Sequence, residues 1–225
     1  MQKKATLKGL YSEIRTLLFN MIPEKWESIY LYASVIDNRN RGETGEMFFF
    51  YYPKSVIKKN PVNVYEIPSK FNINENEYMI LATQLYEMIK KLRCEYIRIE
   101  GHRWSNVTIS IENVEFLVEF NDDDLNNYMY TPEDRRMIWK YKYLDYPIEK
   151  LSKEERRTLN RYLEEEELGN HKIISYSETF YQKHIHNDIT YNNEKNEYIQ
   201  DTSEVKKIEE NEKRKVKSQL LKLDN

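Results

Sequence analysis

From Leu7 onward, apolar residues return every three or four positions: Leu7, Leu10, Tyr11, Ile14, Leu17, Leu18 and Met21. Pro23 follows, so the pattern predicts an amphipathic helix that ends just before that proline. Two runs rich in aromatic and β-branched residues come next, "WESIYLYASVI" and "EMFFFYYP". The connection between them, "DNRNRGETG", is polar and contains glycine. The runs therefore read as an antiparallel pair of strands, apolar on both faces in the middle and so central and covered. "KSVIKKNPVNVYEIPSKFN" holds two prolines and no sustained period. It reads as an irregular crossing with one short strand.

Asn74, with Glu77 three residues on, has the spacing of a capping box. Tyr78, Leu81, Leu85, Met88, Ile89 and Leu92 mark the buried stripe of the helix that follows. "WSNVTISI" and "VEFLVEF" alternate most clearly at Val107, Ile109 and Ile111, and Asn113 lies at the reversal, predicting a second tight hairpin. Thr131 before Pro132, Glu133 and Asp134 supplies an N-cap, a proline at the first helical position and acids at the positive helix end. In that helix Met137, Ile138, Tyr141 and Leu144 form the face expected to dock on the sheet. Ser152 and Glu155 form another capping box, opening "KEERRTLNRYLEEEEL". The order helix, hairpin, helix, hairpin, helices predicts an α+β domain, an antiparallel sheet of two hairpins packed against amphipathic helices, spanning residues 1–168. Residues 169–225 then form a polar, charged C-terminal extension, partly helical or flexible, with a thin stripe at Val205, Ile208, Val216 and Leu220.

Composition narrows the chemistry. Among 225 residues, 40% are hydrophobic and 32% charged, which supplies a core within a very polar periphery. Nineteen tyrosines offer contact area with a polar tip, as partner surfaces favour, or reflect a Lys/Asn/Tyr-rich coding bias. The net charge of −3 gives no whole-molecule basic footprint for direct nucleic-acid binding. Cys94 is the only cysteine, which rules out an intramolecular disulfide and a four-cysteine zinc site. There is no signal-peptide core and no window of 18 apolar residues, so a cytoplasmic protein with no membrane partner is expected.

Candidate catalytic groups each have a plainer reading. Asp122, Asp123 and Asp124 offer oxygen ligands for Mg²⁺ or Ca²⁺, but they lack alternating Asp-x-Asp spacing and a central glycine. Neighbours in a strand also face opposite sides. A solvated strand-end loop is the simpler account. His184 and His186 would share one strand face but have no firm third ligand. No nucleophile motif, glycine-rich phosphate loop or other cofactor signature is present. Arg135 and Arg136 suit phosphate, yet the preceding acids can pair with them internally. Trp139, Tyr141 and Tyr143 could stack on bases. Helix docking is the plainer role. The acids at 164–167 lie at a helix C-terminus, either a solvated end or an interaction surface.

"TPEDRRMIWKYKYL" resembles the signature segment of the YezG-like immunity proteins, in which a turn, a basic pair and an aromatic W-K-Y-K-Y run occur together. Further segments match in order: "NMIPEKWESIYLYA", "MFFFYYPKS", "EIPSKFNINENEY", "WSNVTISIE" and "IEKLSKEERRTLNRYLEEE". The resemblance spans residues 7 to 166. It implies a non-enzymatic antitoxin that binds the C-terminal effector domain of a cognate polymorphic toxin. Such toxins are often of the LXG type exported by type VII secretion, and for several relatives the toxin is a nuclease. The chain departs from the family pattern in its last 55 or so residues and in a turn after "IE" without the expected glycine.

With a nuclease as partner, acids on a rigid scaffold can compete with polyanion for the active site. The expected contact surface is Asp122, Asp123 and Asp124 with Glu133 and Asp134, bordered by Tyr128 and Tyr130. The competing reading is a metal-dependent nucleic-acid-acting enzyme that uses Asp122 to Asp124. The extension is a candidate dimerisation or adaptor segment.

Overall fold

In a computed structural model of the chain, described for residues 2–38, 42–54, 60–113, 115–168 and 173–179, the two hairpins join edge to edge. β1 (Trp26–Ser34) pairs on one side with β4 (Met47–Pro53) and on the other with β6 (Asn106–Glu112). β5 (Val62–Asn63) flanks β4, and β7 (Glu115–Asn121) flanks β6. The last strand is β8 (Ile173–Thr179), giving the order β5-β4-β1-β6-β7-β8, antiparallel throughout. The described residues belong to one unit, Met1–Ile185; a second, His186–Asn225, lies outside them, as do His184 and the tail stripe.

Alternation along the strands sorts the side chains. Ile29, Leu31, Ala33, Phe49, Tyr51, Val107, Ile109, Ile111, Phe116, Val118 and Phe120 face one side, where α1 (Gln2–Asn20) and α3 (Glu75–Glu100) cover them. The stripe of α1 supplies Leu7, Leu10, Tyr11, Ile14 and Leu18, and that of α3 supplies Tyr78, Leu85, Ile89 and Leu92. Asn74 caps α3 by accepting from the N–H groups of Asn76 and Glu77, and Gly101 ends it at φ +68°. The crossing between the hairpins holds β5, a 3₁₀ turn and the short α2 (Ile67–Phe71). Asn113, at φ +53°, makes the reversal between β6 and β7.

On the opposite face, Tyr32 and Phe48 receive α4 (Pro132–Leu144) through Trp139 and Leu144. The face expected to dock is therefore only partly the one that does. Met137, Ile138 and Tyr141 turn away from the sheet and pack with Leu159 and Tyr162 of α5 (Lys153–Glu167). The reason is geometric: α4 is sandwiched, so its apolar positions serve two neighbours around the helix. Trp139 stands nearly edge-on to Phe48, with ring centroids 5.1 Å apart, and its indole N–H donates to Thr108 Oγ1 at 3.0 Å. With 4% of its surface exposed it is no open platform for bases.

Two further features differ from the sequence reading. The polar connection between the first two strands itself folds into a ribbon, β2 (Ile36–Asn38) against β3 (Gly42–Thr44). In addition, the sheet continues past residue 168, since β8 alternates Ile174, Tyr176 and Glu178 toward α1. The period was present but short, with Ile173 out of phase.

Candidate functional site

Ser34, Asn106 and Asn121 are aligned across β1, β6 and β7, so three loops leave the sheet at one end. These are the β2–β3 ribbon, the approach to β6 with His102 and Arg103, and the acidic loop after β7. The start of α4 meets the same end, where Arg136 pairs with Glu46, just before β4, at 2.8 Å. Arg135 donates to the Tyr130 carbonyl at 3.0 Å and lies 3.9 Å from the same glutamate. Both arginines are paired internally as expected, but with Glu46 and not with the acids that precede them. Asp134, the nearer of those acids, is already engaged in capping the helix.

The three aspartates diverge. Asp122 lies 3.2 Å from Nε2 of His102. The backbone N–H of Asp123 donates to Asn121 Oδ1 at 2.7 Å, and its carboxylate engages the Tyr128 phenol. Burial, and then that carboxylate, push the Tyr128 phenol far up from its ordinary pKa. Asp124 accepts from Asn127 Nδ2 at 2.7 Å and from the Asn126 N–H at 3.1 Å. The Asn127 side chain, chiefly, holds the Asp124 carboxyl below its usual range. The loop thus folds on itself as an Asx-type turn with its acids at the rim.

The other expected contact residues separate into two groups. Glu133 is exposed in the first turn of α4, whereas Asp134 is half-buried and engaged in the helix cap. Its carboxylate accepts from the Thr131 N–H at 3.0 Å and hydroxyl at 2.9 Å, closing a capping box. Tyr130 faces inward. It is 2% exposed, donates to Glu165 at 2.8 Å and lies edge-on to Tyr162, so it supports the loop from inside and does not border the surface. Its neighbour Met129 is 63% exposed and was missed by sequence reasoning. Of the acids at 164–167, Glu165 holds Tyr130 and Glu166 pairs with Lys142, so both are structural.

Also missed was the clamp beneath the ribbon. Arg93, 3% exposed on α3, donates from Nε to the Trp104 carbonyl at 2.8 Å. Its other nitrogens reach Asp37 at 2.7 Å and Glu43 at 3.2 Å. Arg103 adds a second bond to Asp37 at 2.7 Å, and Asn126 of the acidic loop donates to the Asp37 carbonyl at 3.3 Å. Hydrogen bonding by the Arg93 guanidinium, above all, holds the Asp37 carboxyl below the usual carboxylate range. The signal was visible: Arg93 falls four residues after Ile89 and three before Tyr96, on the buried stripe. Gly45 fixes the return of the ribbon, because a Cβ there would stand 2.0 Å from the Ser34 carbonyl oxygen.

Between the acidic loop and α4 lies a cleft of about 70 Å³, bordered by Asp123, Tyr128, Arg135, Trp139, Tyr143 and Tyr162. Among the described residues, no three His, Cys, Asp or Glu side chains are grouped to hold a metal ion. None of the described helices is long and apolar enough to cross a membrane.

The family profile described as "Immunity protein YezG-like" matches residues 7–159, a stretch that includes both hairpins, the ribbon, the acidic loop and α4. The chain belongs to the YezG-like immunity proteins. It is 30% identical over 137 residues to Immunity protein YezG of Bacillus spizizenii, covering 60% of this chain and 80% of that one. Against Immunity protein YezG of Bacillus subtilis it is 30% identical over 139 residues, covering 61% and 87%. Type VII secretion system protein EsaG of Staphylococcus aureus is 27% identical over 138 residues, covering 60% and 80%. The role that comes with the family is immunity against a toxin.

Proposed function

We propose that this immunity protein neutralises a nuclease toxin in the cytoplasm of the producing bacterium by covering the toxin's nucleic-acid-binding surface with its acidic loop. The toxin is a polymorphic LXG-type effector that leaves by type VII secretion. The similarity to a protein named for type VII secretion supports this reading. Asp122, Asp123 and Asp124, with Glu133, stand at the same sheet end as a clamped ribbon, and the exposed Met129 and half-buried Tyr128 lie beside them. An apolar centre with a charged rim is the make-up of a recognition surface, and a loop already held by its own hydrogen bonds loses little entropy on binding.

The observation that carries the proposal is the divergence of the three carboxylates. A metal-dependent enzyme needs oxygen ligands converging on one point. Here Asp122 turns to His102, Asp123 to Tyr128 and Asp124 to Asn126 and Asn127. Carboxylates spread over a rim instead act as a field that steers a basic partner. Reversing Asp122, Asp123 and Asp124 to lysine is expected to slow association with the toxin by tenfold or more at low salt, with dissociation changed less. Unchanged association at low salt would overturn the proposed surface. Hydrolysis of DNA or RNA by the purified protein, lost in the same variant, would instead favour the enzyme.

A further inference from the structure

The two edges of the sheet are built differently. At one, β5 is two residues long and follows Pro61, so it offers almost nothing for another strand to pair with. At the other, β8 runs for seven residues in regular register with β7, from Asn121 against Ile173 to Glu115 against Thr179, without a bulge. Its inner face is seated: Tyr176 stacks on Tyr11 with centroids 4.6 Å apart, and Glu178 pairs with Arg15 at 2.8 Å. Among the described residues no strand pairs with its outer edge. β8 contains no lysine and no proline, and its one charge, Glu178, is already neutralised by Arg15. Within Ile173–Thr179 it therefore has no lysine, proline or bulge of the kind by which sheet edges repel other chains.

This edge also lies beyond the family match, which ends at residue 159. The alignments use 80–87% of the relatives but only 60–61% of this chain.

We infer that β8 is a self-association edge, pairing antiparallel with β8 of a second copy about a twofold axis near Tyr176. The strand complements itself in that register. Tyr176 meets Tyr176, Ser175 meets Ser177, Ile174 meets Glu178 and Ile173 meets Thr179. No like charges oppose each other, and the two Ser175–Ser177 pairs set hydroxyl against hydroxyl across the axis. An isologous contact of this sort closes as a dimer and leaves no further edge for growth. It would join two sheets into one, with both acidic loops left open, because Asp122 to Asp124 leave the sheet through β7 and not through the outer edge of β8.

Light scattering of the full chain over a wide dilution series tests the inference without any toxin. The expected mass is twice that of the monomer at the concentrated end, falling on dilution. Ser175→Lys with Ser177→Lys places lysines opposite lysines across the axis, on side chains that are exposed in the monomer. This variant is expected to be monomeric throughout and to melt as the wild type does at the dilute end of the series. In a Cys94→Ser background, Ser175→Cys with Ser177→Cys should cross-link two chains on oxidation. A wild-type monomer across the series, a dimer that survives the lysine pair, or cysteines that fail to link two chains would each overturn it.

Discussion

The two faces of the sheet are covered by opposite means. Toward α1 and α3 the contact is mostly aliphatic, and Ile14, Leu18, Ile29, Leu31, Leu85, Ile89, Leu92 and Ile109 are fully buried. Toward α4 it is aromatic and hydrogen-bonded: Trp139 on Phe48 and Thr108, Tyr143 on Glu119 at 2.9 Å, and Tyr52 on the Leu144 carbonyl at 2.9 Å. Close-packed aliphatic layers give stability with little directional demand. Aromatic and polar contacts fix a helix in one orientation, and with it the acidic loop that leads into its N-terminus. The α1–α3 face is the foundation, and the α4 face holds the acidic loop in place.

The hold of the sheet on α4 rests most on Trp139. Trp139→Ala removes the anchor of α4 and is expected to cost about 3–5 kcal/mol, read by denaturant unfolding. A loss below about 1 kcal/mol would mean that α4 is held by α5 and not by the sheet. Arg93→Leu deprives the buried Trp104 carbonyl of its donor and unlatches the ribbon. About 1–3 kcal/mol is expected, discounted because Asp37 and Glu43 are more than a third exposed. Hydrogen exchange should quicken in Ile36–Asn38 and Gly42–Thr44, with α4 unaffected. Ser152→Ala, which opens the cap of α5, is expected to cost about 1 kcal/mol. A wholly intact melting curve would show that α5 is held by packing alone.

The ribbon, through Asp37, also responds to pH. The Asp37 carboxyl is held lower in the folded chain than its ordinary value of 3.8, chiefly by the hydrogen bond from Arg93. The unfolded chain therefore takes the proton first as pH falls. The stabilisation is complete above about pH 5, begins to fade near 3.8 and is lost as pH drops through the lowered value. Asp37→Asn should flatten this part of the acid melt, and ribbon exchange rates are the direct readout.

Much of this architecture was legible because local rules and packing agree. The apolar stripes of α1 and α3, the Thr131 and Ser152 caps and the reversal at Asn113 are each written in a few neighbouring residues. What escaped depended on residues far apart in the chain. Glu46 takes Arg135 and Arg136 from ninety positions away, and Arg93 reaches fifty residues back to the ribbon. Tyr130 looked like a rim residue because a polar loop surrounds it, yet the fold turns it inward onto Glu165. Met129, the residue beside it, took the outward position. In a loop no period tells inside from outside, so the candidate surface was legible as a segment and not as a set of side chains.

Trp104 and Trp139 are both buried, one on each face of the sheet, and their surroundings differ. Trp104 sits among the aliphatic layer and Phe120, with Arg93 over its ring, whereas Trp139 is hydrogen-bonded among aromatics. The molecule therefore carries a built-in pair of fluorescent reporters. With Trp26→Phe silencing the third indole, Trp104→Phe and Trp139→Phe would each leave one face emitting. Stopped-flow traces from the two proteins would then show whether toxin capture is sensed near the acidic loop alone or travels through the sheet to its far side.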